Sequence, residues 1–270
     1  DDISAECEVF LAGVFAKVVR VPLIAHECVP MKSQKQNQIY GGWIHQSFTK
    51  WNAMNPEYLP VDKVILVDAD MLFLENCDSL FDLQAPAATF SSPWVTPYMA
   101  RGGRNHYGEM QHGQVVDPRA IGGGLCNGVL GLACMVLLHP SARMFTIMKT
   151  ILNRNHVYGH QRCMSGFDEQ LLAETMLAMG GPVTHIHQQY NWIVGKTAWL
   201  TKGETPKSMQ YYNGKPWREA SDATEWQDVK DWHVVWQQLV AADPSRARWL
   251  NYNEGVSTTS NSAWDCVLTG

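Results

Sequence analysis

At 270 residues, with 46% hydrophobic and 17% charged residues, 21 glycines, 13 prolines and 11 tryptophans, the chain suits one large α/β domain, or two small ones, and excludes a disordered or repetitive protein. A formal net charge of −5 with no run of Lys and Arg argues against a nucleic-acid partner. The longest apolar stretches fall short of a transmembrane segment, and Asp1-Asp2-Ile3-Ser4 lacks the features of a signal peptide, so a soluble chain is expected.

Val9, Phe10, Ala12 and Phe15 mark an apolar helical stretch, and residues 16–24 are expected to form a strand ending at a proline. Between 38 and 54, Ile39, Trp43, Phe48 and Trp51 recur at helical spacing, predicting one amphipathic helix with Thr49 and Lys50 near its carboxyl end. Next comes the aliphatic run Val64-Ile65-Leu66-Val67, of the kind buried on both faces of a parallel sheet. It leads into Asp68-Ala69-Asp70 at its carboxyl tip, the edge where open α/β sheets bind ligands. Residues 91–125 hold few aliphatics and predict a long loop, a candidate acceptor-binding lid, ending in Gly122-Gly123-Gly124.

A strand pair is expected over 127–132 and 135–138, after which Pro140-Ser141 opens a helix with Met144, Met148, Ile151 and Leu152 inward. Gly166-Phe167-Asp168 starts another, 168–179, with Asp168 and Glu169 in its first turn and Gly180-Gly181 as its stop. Residues 183–187 return as a strand, and Val229, Trp232, Trp236 and Leu239 predict an amphipathic closing helix over 225–241. With no linker-like break, the expected organisation is one domain over 1–245 and a tail over 246–270. Seven cysteines, odd in number and without C-x-x-C spacing, read as mostly buried thiols; together with the lack of an Asn-x-Ser/Thr sequon they lean towards a reducing, cytoplasmic setting.

Two carboxylates spaced i and i+2 at a strand tip can hold a hard divalent cation against a diphosphate. An isolated pair is as often a solvated acidic turn, but charges flanked by core on both sides need a partner. Breaking a glycosidic bond to a nucleoside diphosphate leaves negative charge on phosphate oxygens, which a cation stabilises and a lysine can share. Lys50 and Lys215 are the candidates. One such contact at about 4 Å and an effective dielectric of about 20 is worth about 4 kcal/mol, roughly a thousandfold in rate if it strengthens only in the transition state.

Asn213-Gly214 ahead of Lys215-Pro216-Trp217 offers free backbone amides to an anion, where the plainer alternative is a turn with a packed indole. Asp168 is equally readable as a helix cap, and His185-x-His187 as buried histidines in preference to metal ligands. No G-x-G-x-x-G follows a strand, which disfavours a dinucleotide-dependent oxidoreductase.

Taken in order, Val64 to Leu72, Leu80-Phe81-Asp82, Cys126-Asn127-Gly128-Val129, Asp168 to Leu172, Tyr190-Asn191-Trp192 and Gly214-Lys215-Pro216-Trp217 resemble the motifs of glycogenin-like retaining glycosyltransferases, glycosyltransferase family 8, across residues 5–220. The resemblance implies a GT-A fold: an α/β, Rossmann-like, mixed and mainly parallel sheet flanked by helices. It also implies a UDP-sugar donor (hexose or pentose), a carbohydrate or glycoprotein acceptor, manganese or alternatively magnesium as cofactor, and room for a homodimer. Asp68 and Asp70 resemble the metal-binding acids, with Asp68 and Ala69 also at the donor. Lys50, after Thr49, resembles the helix lysine that reaches the donor sugar and phosphates. Asn127 resembles the asparagine on the donor sugar, Asp168 the acid beside the anomeric carbon, and Gly214 with Lys215 the amide and ammonium that grip the diphosphate. Asp168, Asn127 and Lys50 are thus the expected catalytic set.

Two positions depart from the family. Its third metal ligand is a histidine, and the equivalent residue here is Tyr211, preceded by Gln210. A phenol with a pKa of about 10 is a poor ligand at neutral pH, and Gln210 is expected to face the opposite side of an extended segment. The family's first nucleotide-binding strand, with its threonine and tyrosine for uracil, has no counterpart here, so a fragment of a longer protein is expected. These departures motivate a rival, a nucleotide-sugar binding or scaffold protein with weakened catalysis on the same fold. Self-glycosylation is not supported, because no acceptor tyrosine follows Tyr190-Asn191-Trp192.

Overall fold

The computed structural model describes residues 3–31, 33–90, 111–118, 121–122, 134–154, 166–193, 205–211, 215–218 and 227–246. Its helices are α1 (Ala5–Val14), α2 (Gln34–Tyr40), α3 (Ala142–Asn153), α4 (Phe167–Met179) and α5 (Gln227–Ala242). Its strands are β1 (Val64–Val67), β2 (Met71–Phe73), β3 (Ala87–Ala88), β4 (Val115–Val116), β5 (Met135–Leu138), β6 (Val183–His185), β7 (Trp192–Ile193) and β8 (Ser208–Gln210).

Five strands form a mixed sheet in the order β1-β5-β3-β6-β4. The pair β3/β6 is parallel; β1/β5, β3/β5 and β4/β6 are antiparallel. The expected mainly parallel sheet is therefore corrected to a mainly antiparallel one among the described residues. The run Val64 to Val67 signals burial but not the direction of its neighbour. β5 is buried on both faces, Val136 and Leu138 entering one core and Met135 and Leu137 another, and the short β3 likewise places Ala88 in the first and Ala87 in the second. β1 pairs only with β5 among the described residues and leaves Val67 exposed.

The larger core gathers Phe48, Trp51 and Met54, Met144, Met148 and Leu152 of α3, and Phe167, Leu171, Leu172 and Met176 of α4 against Val136 and Leu138. α3 begins at Ser141, whose side chain accepts from the Met144 amide, and α4 stops at Gly180, whose φ of 70° is the left-handed conformation a side chain disfavours. Both helices agree with the sequence-based expectation.

The single helix expected over 38–54 is instead two. It breaks after α2 and continues as an eleven-residue 3-10 helix, Ile44–Met54. With three residues per turn, Phe48, Trp51 and Met54 fall in one row, and all three are fully buried. Ile44, Ser47, Lys50 and Ala53 form the next row. Residues 16–24 form no strand; side chains of the 3-10 helix hold them, Asn52 donating to the Pro22 carbonyl and Thr49 accepting from the Ile24 amide. The expected lid region contributes β4, while 91–110 and the strand expected over 127–132 lie outside the described residues.

A smaller sheet, β2-β8-β7, stands beside the larger one, with Met71 opposite Gln210. Its core of Trp192, Met209 and Tyr211 packs on Leu72 and on Trp232 of α5. Of the residues expected inward on α5, Val229 is buried and Leu239 is exposed. No helix among the described residues is long and apolar enough to cross a membrane.

Candidate functional site

Asp68 and Asp70 sit where the two sheets meet. The Asp68 amide donates to the Cys134 carbonyl at 3.1 Å, carrying the β1/β5 ladder one residue beyond β1. The Asp70 carbonyl accepts from the Tyr211 amide at 2.9 Å, opening the β2/β8 ladder. Each acid is thus fixed by a different sheet, and the exposed Ala69 turns the chain between them.

Lys50 reaches this junction from the second row of the 3-10 helix. Its ammonium stands 2.6 Å from Asp168 Oδ2 and 3.5 Å from Asp68 Oδ1. Asp168 lies in the first turn of α4, where the helix dipole also favours a negative charge. It is not the cap: that position is Gly166, and a side chain there would run into the Asp168 carboxylate. Lys215 approaches from the other side, pairing with Asp70 Oδ2 and donating to the Tyr211 carbonyl at 2.8 Å. The Lys215 ammonium also lies 5.7 Å from the Trp217 ring centre, close enough for a cation-π contact. Segments 145 residues apart therefore converge on one locus. The five side chains keep 13% to 30% of their surface open to solvent, sheltered yet reachable by a ligand.

Among the described residues three carboxylates here face two ammonium groups, an excess of negative charge that favours a further cation. Burial alone would lower the Lys50 pKa, but Asp168 and Asp68 outweigh it and hold the ammonium above the usual lysine range. Burial raises the Asp68 pKa; Lys50 opposes this, while Asp70 and Asp168 add repulsion of like sign. Beneath Asp68 the Cys134 thiol is held neutral by burial and by the same carboxylate. Near Asp168, burial and the carboxylate push the Cys28 thiol up to about 12.

The structure brings the expected residues Lys50, Asp68, Ala69, Asp70, Asp168 and Lys215 into one locus; Asn127 and Gly214 lie outside the described residues. Thr49 is used in holding the Ile24 backbone. The facing of Gln210 and Tyr211 is reversed from expectation. Tyr211 turns into the smaller core and donates its hydroxyl to the Asp228 carbonyl at 2.8 Å, and burial raises its pKa above that of an ordinary phenol. Gln210 instead donates from Nε2 to Asp68 Oδ2 at 3.2 Å. The polar–apolar alternation Ser208, Met209, Gln210, Tyr211 carries that signal, since residues two apart share a face.

His185 is buried, and burial, with His187 and His112, lowers its pKa to about 3; it is a neutral core histidine. A shallow hollow on α3, lined by Thr146, Lys149, Thr150, Asn153 and Arg154, contains none of the site residues. Among the described residues no three His, Cys, Asp or Glu side chains gather to hold a metal. In comparison with known proteins, the sequence matches no family model and no curated protein.

Proposed function

We propose that the chain is a retaining glycosyltransferase that moves a sugar from a UDP-sugar to a carbohydrate or glycoprotein acceptor, assisted by manganese or magnesium. The observation that carries this reading is the convergence of Asp68, Asp70 and Asp168 with Lys50 and Lys215 at the carboxyl end of β1. The mixed sheet with flanking helices is compatible with it.

The donor set suits a hard cation. Asp68 and Asp70 offer carboxylate oxygens, and Asp70 Oδ1 is buried with no hydrogen-bond partner among the described residues. When bound, such an ion supplies Lewis-acid stabilisation to the departing diphosphate. Lys215 neutralises phosphate oxygens from the opposite side, with the Gly214 amide beside it in the chain. Lys50 spans donor phosphate and sugar, and it holds Asp168 in place beside the anomeric carbon. Asn127 contacts the donor sugar.

Incubating the full-length protein with a panel of UDP-sugars and manganese, then measuring UDP release, tests the reading. Turnover is expected with at least one donor, and Asp70→Ala is expected to lower it about a thousandfold, the worth of one charge contact in the transition state. Absence of turnover with every donor overturns the enzyme reading. The ion pairs Lys215–Asp70 and Lys50–Asp168 favour a second reading, a protein that binds nucleotide sugars without transferring them, because lysines already neutralise the acids. Calorimetry separates the two: UDP binding indifferent to manganese, with no hydrolysis or transfer, supports the second.

A further inference from the structure

We infer that Gln210 supplies a third protein oxygen, through its side-chain amide, to a hard divalent cation held between Asp68 and Asp70. The inference rests on the metal-assisted reading above and assigns a ligand that reading does not name.

Backbone pairing sets the geometry. Gln210 lies opposite Met71, and the next amide, that of Tyr211, bonds the Asp70 carbonyl. Alternation along β8 then sends Met209 and Tyr211 into the smaller core and Gln210 to the side of the acids. Gln210 is 2% exposed, and its amide already touches Asp68 Oδ2.

Two atoms at this spot lack partners. Gln210 Oε1 and Asp70 Oδ1 are both buried with no hydrogen bond among the described residues. A buried acceptor left unsatisfied is costly and rare in folded proteins, so two such oxygens on paired segments, one on the amide whose nitrogen touches Asp68 and one on the acid two residues along, point to one shared electropositive ligand. Protons do not meet the need, since an amide oxygen stays unprotonated at any ordinary pH. The set, two carboxylates and one amide carbonyl, is the oxygen chemistry chosen by magnesium, manganese and calcium, whereas zinc favours nitrogen and sulfur. Cys134 stays outside the set as a neutral thiol.

Direct manganese binding tests the assignment, read by electron paramagnetic resonance of the free ion with no donor sugar present. Gln210→Met keeps the volume and removes the oxygen, and Gln210→Glu restores an oxygen with added charge. Gln210→Met is expected to weaken manganese binding about 10- to 100-fold, the range seen when support around a metal is lost. Gln210→Glu is expected to match or exceed the unaltered protein, and UDP affinity in a chelator is expected to be the same for all three. Thermal unfolding identifies any variant that fails to fold; if Gln210→Met does, Gln210→Asn, one methylene too short, takes its place. Equal manganese affinity in the folded Met or Asn variant and the unaltered protein overturns the role of Gln210 while leaving the transferase reading intact. Absence of manganese binding by the unaltered protein overturns the inference too, and UDP release without metal then keeps the transferase reading separate.

Discussion

Lys50 answers two carboxylates at once, so its removal differs from the loss of an ordinary surface charge. Asp68 is already held above the usual carboxylate range by burial, and with Lys50→Met it faces Asp168 with no cation between them. Breaking a sheltered pair by deleting one partner costs about 3–5 kcal/mol, so denaturant unfolding at pH 7 is expected to show a loss near the lower end for this partly open site. The pH dependence has a definite sign. A carboxylate whose folded pKa is raised favours the fold as pH falls through that raised value, so the deficit of Lys50→Met shrinks on acidification from pH 7 to 5. Lys50 itself has a raised pKa, and its contribution is complete everywhere below the ordinary lysine value, so it adds no slope in that window. A deficit that stays constant or grows on acidification refutes the assignment of Lys50 as the shared counter-ion. The charged residues were legible in the sequence because acids and lysines amid apolar runs must find partners. Gln210 was harder to read, since an amide carries no charge to flag it and only its alternation with Met209 and Tyr211 signals its facing.

Two glycines bracket α4 and separate stability from site geometry. Gly180 needs its left-handed φ, so Gly180→Ala is expected to lower unfolding stability by about 1 kcal/mol with nucleotide binding unchanged. Gly166 has an ordinary φ but no room: a methyl group there meets the Asp168 carboxylate. Gly166→Ala is therefore expected to move Asp168 off Lys50 and, on the proposed transferase reading, to lower turnover more than stability; the opposite ranking between the two variants contradicts this assignment. Helices α3 and α4 were readable because cap, apolar period and stop agree along each. The 3-10 helix was not, because a spacing of three, as between Phe48 and Trp51, fits both 3.0 and 3.6 residues per turn, and a tertiary contact decides. Residues 16–24 carry strand-forming residues, yet a strand needs a neighbour, and here the neighbour is a row of side chains.

Across the molecule, β5 ties both cores together while β6 carries His185 inside the larger sheet. Burial, aided by His187 and His112, keeps this imidazole neutral down to about 3. An unfolded histidine takes up a proton near its ordinary value, so global stability is expected to fall as pH drops below about 6.5 and to stop falling from this source near 3. His185→Gln removes that slope, whatever it does to stability at pH 7; unfolding curves at pH 7, 5.5 and 4 that decline in parallel for both proteins rule it out. Sheet direction could not be read from composition, because an aliphatic strand has the same residues beside a parallel or an antiparallel neighbour. One consequence reaches beyond stability. The two acids of the Asp68-Ala69-Asp70 turn are mounted on different plates, one at the last rung of the large sheet and one at the first rung of the small, like the jaws of a clasp. On the proposed metal-assisted reading, an ion that closes the jaws would draw the plates together, and by reciprocity any force that spreads the plates would loosen the ion.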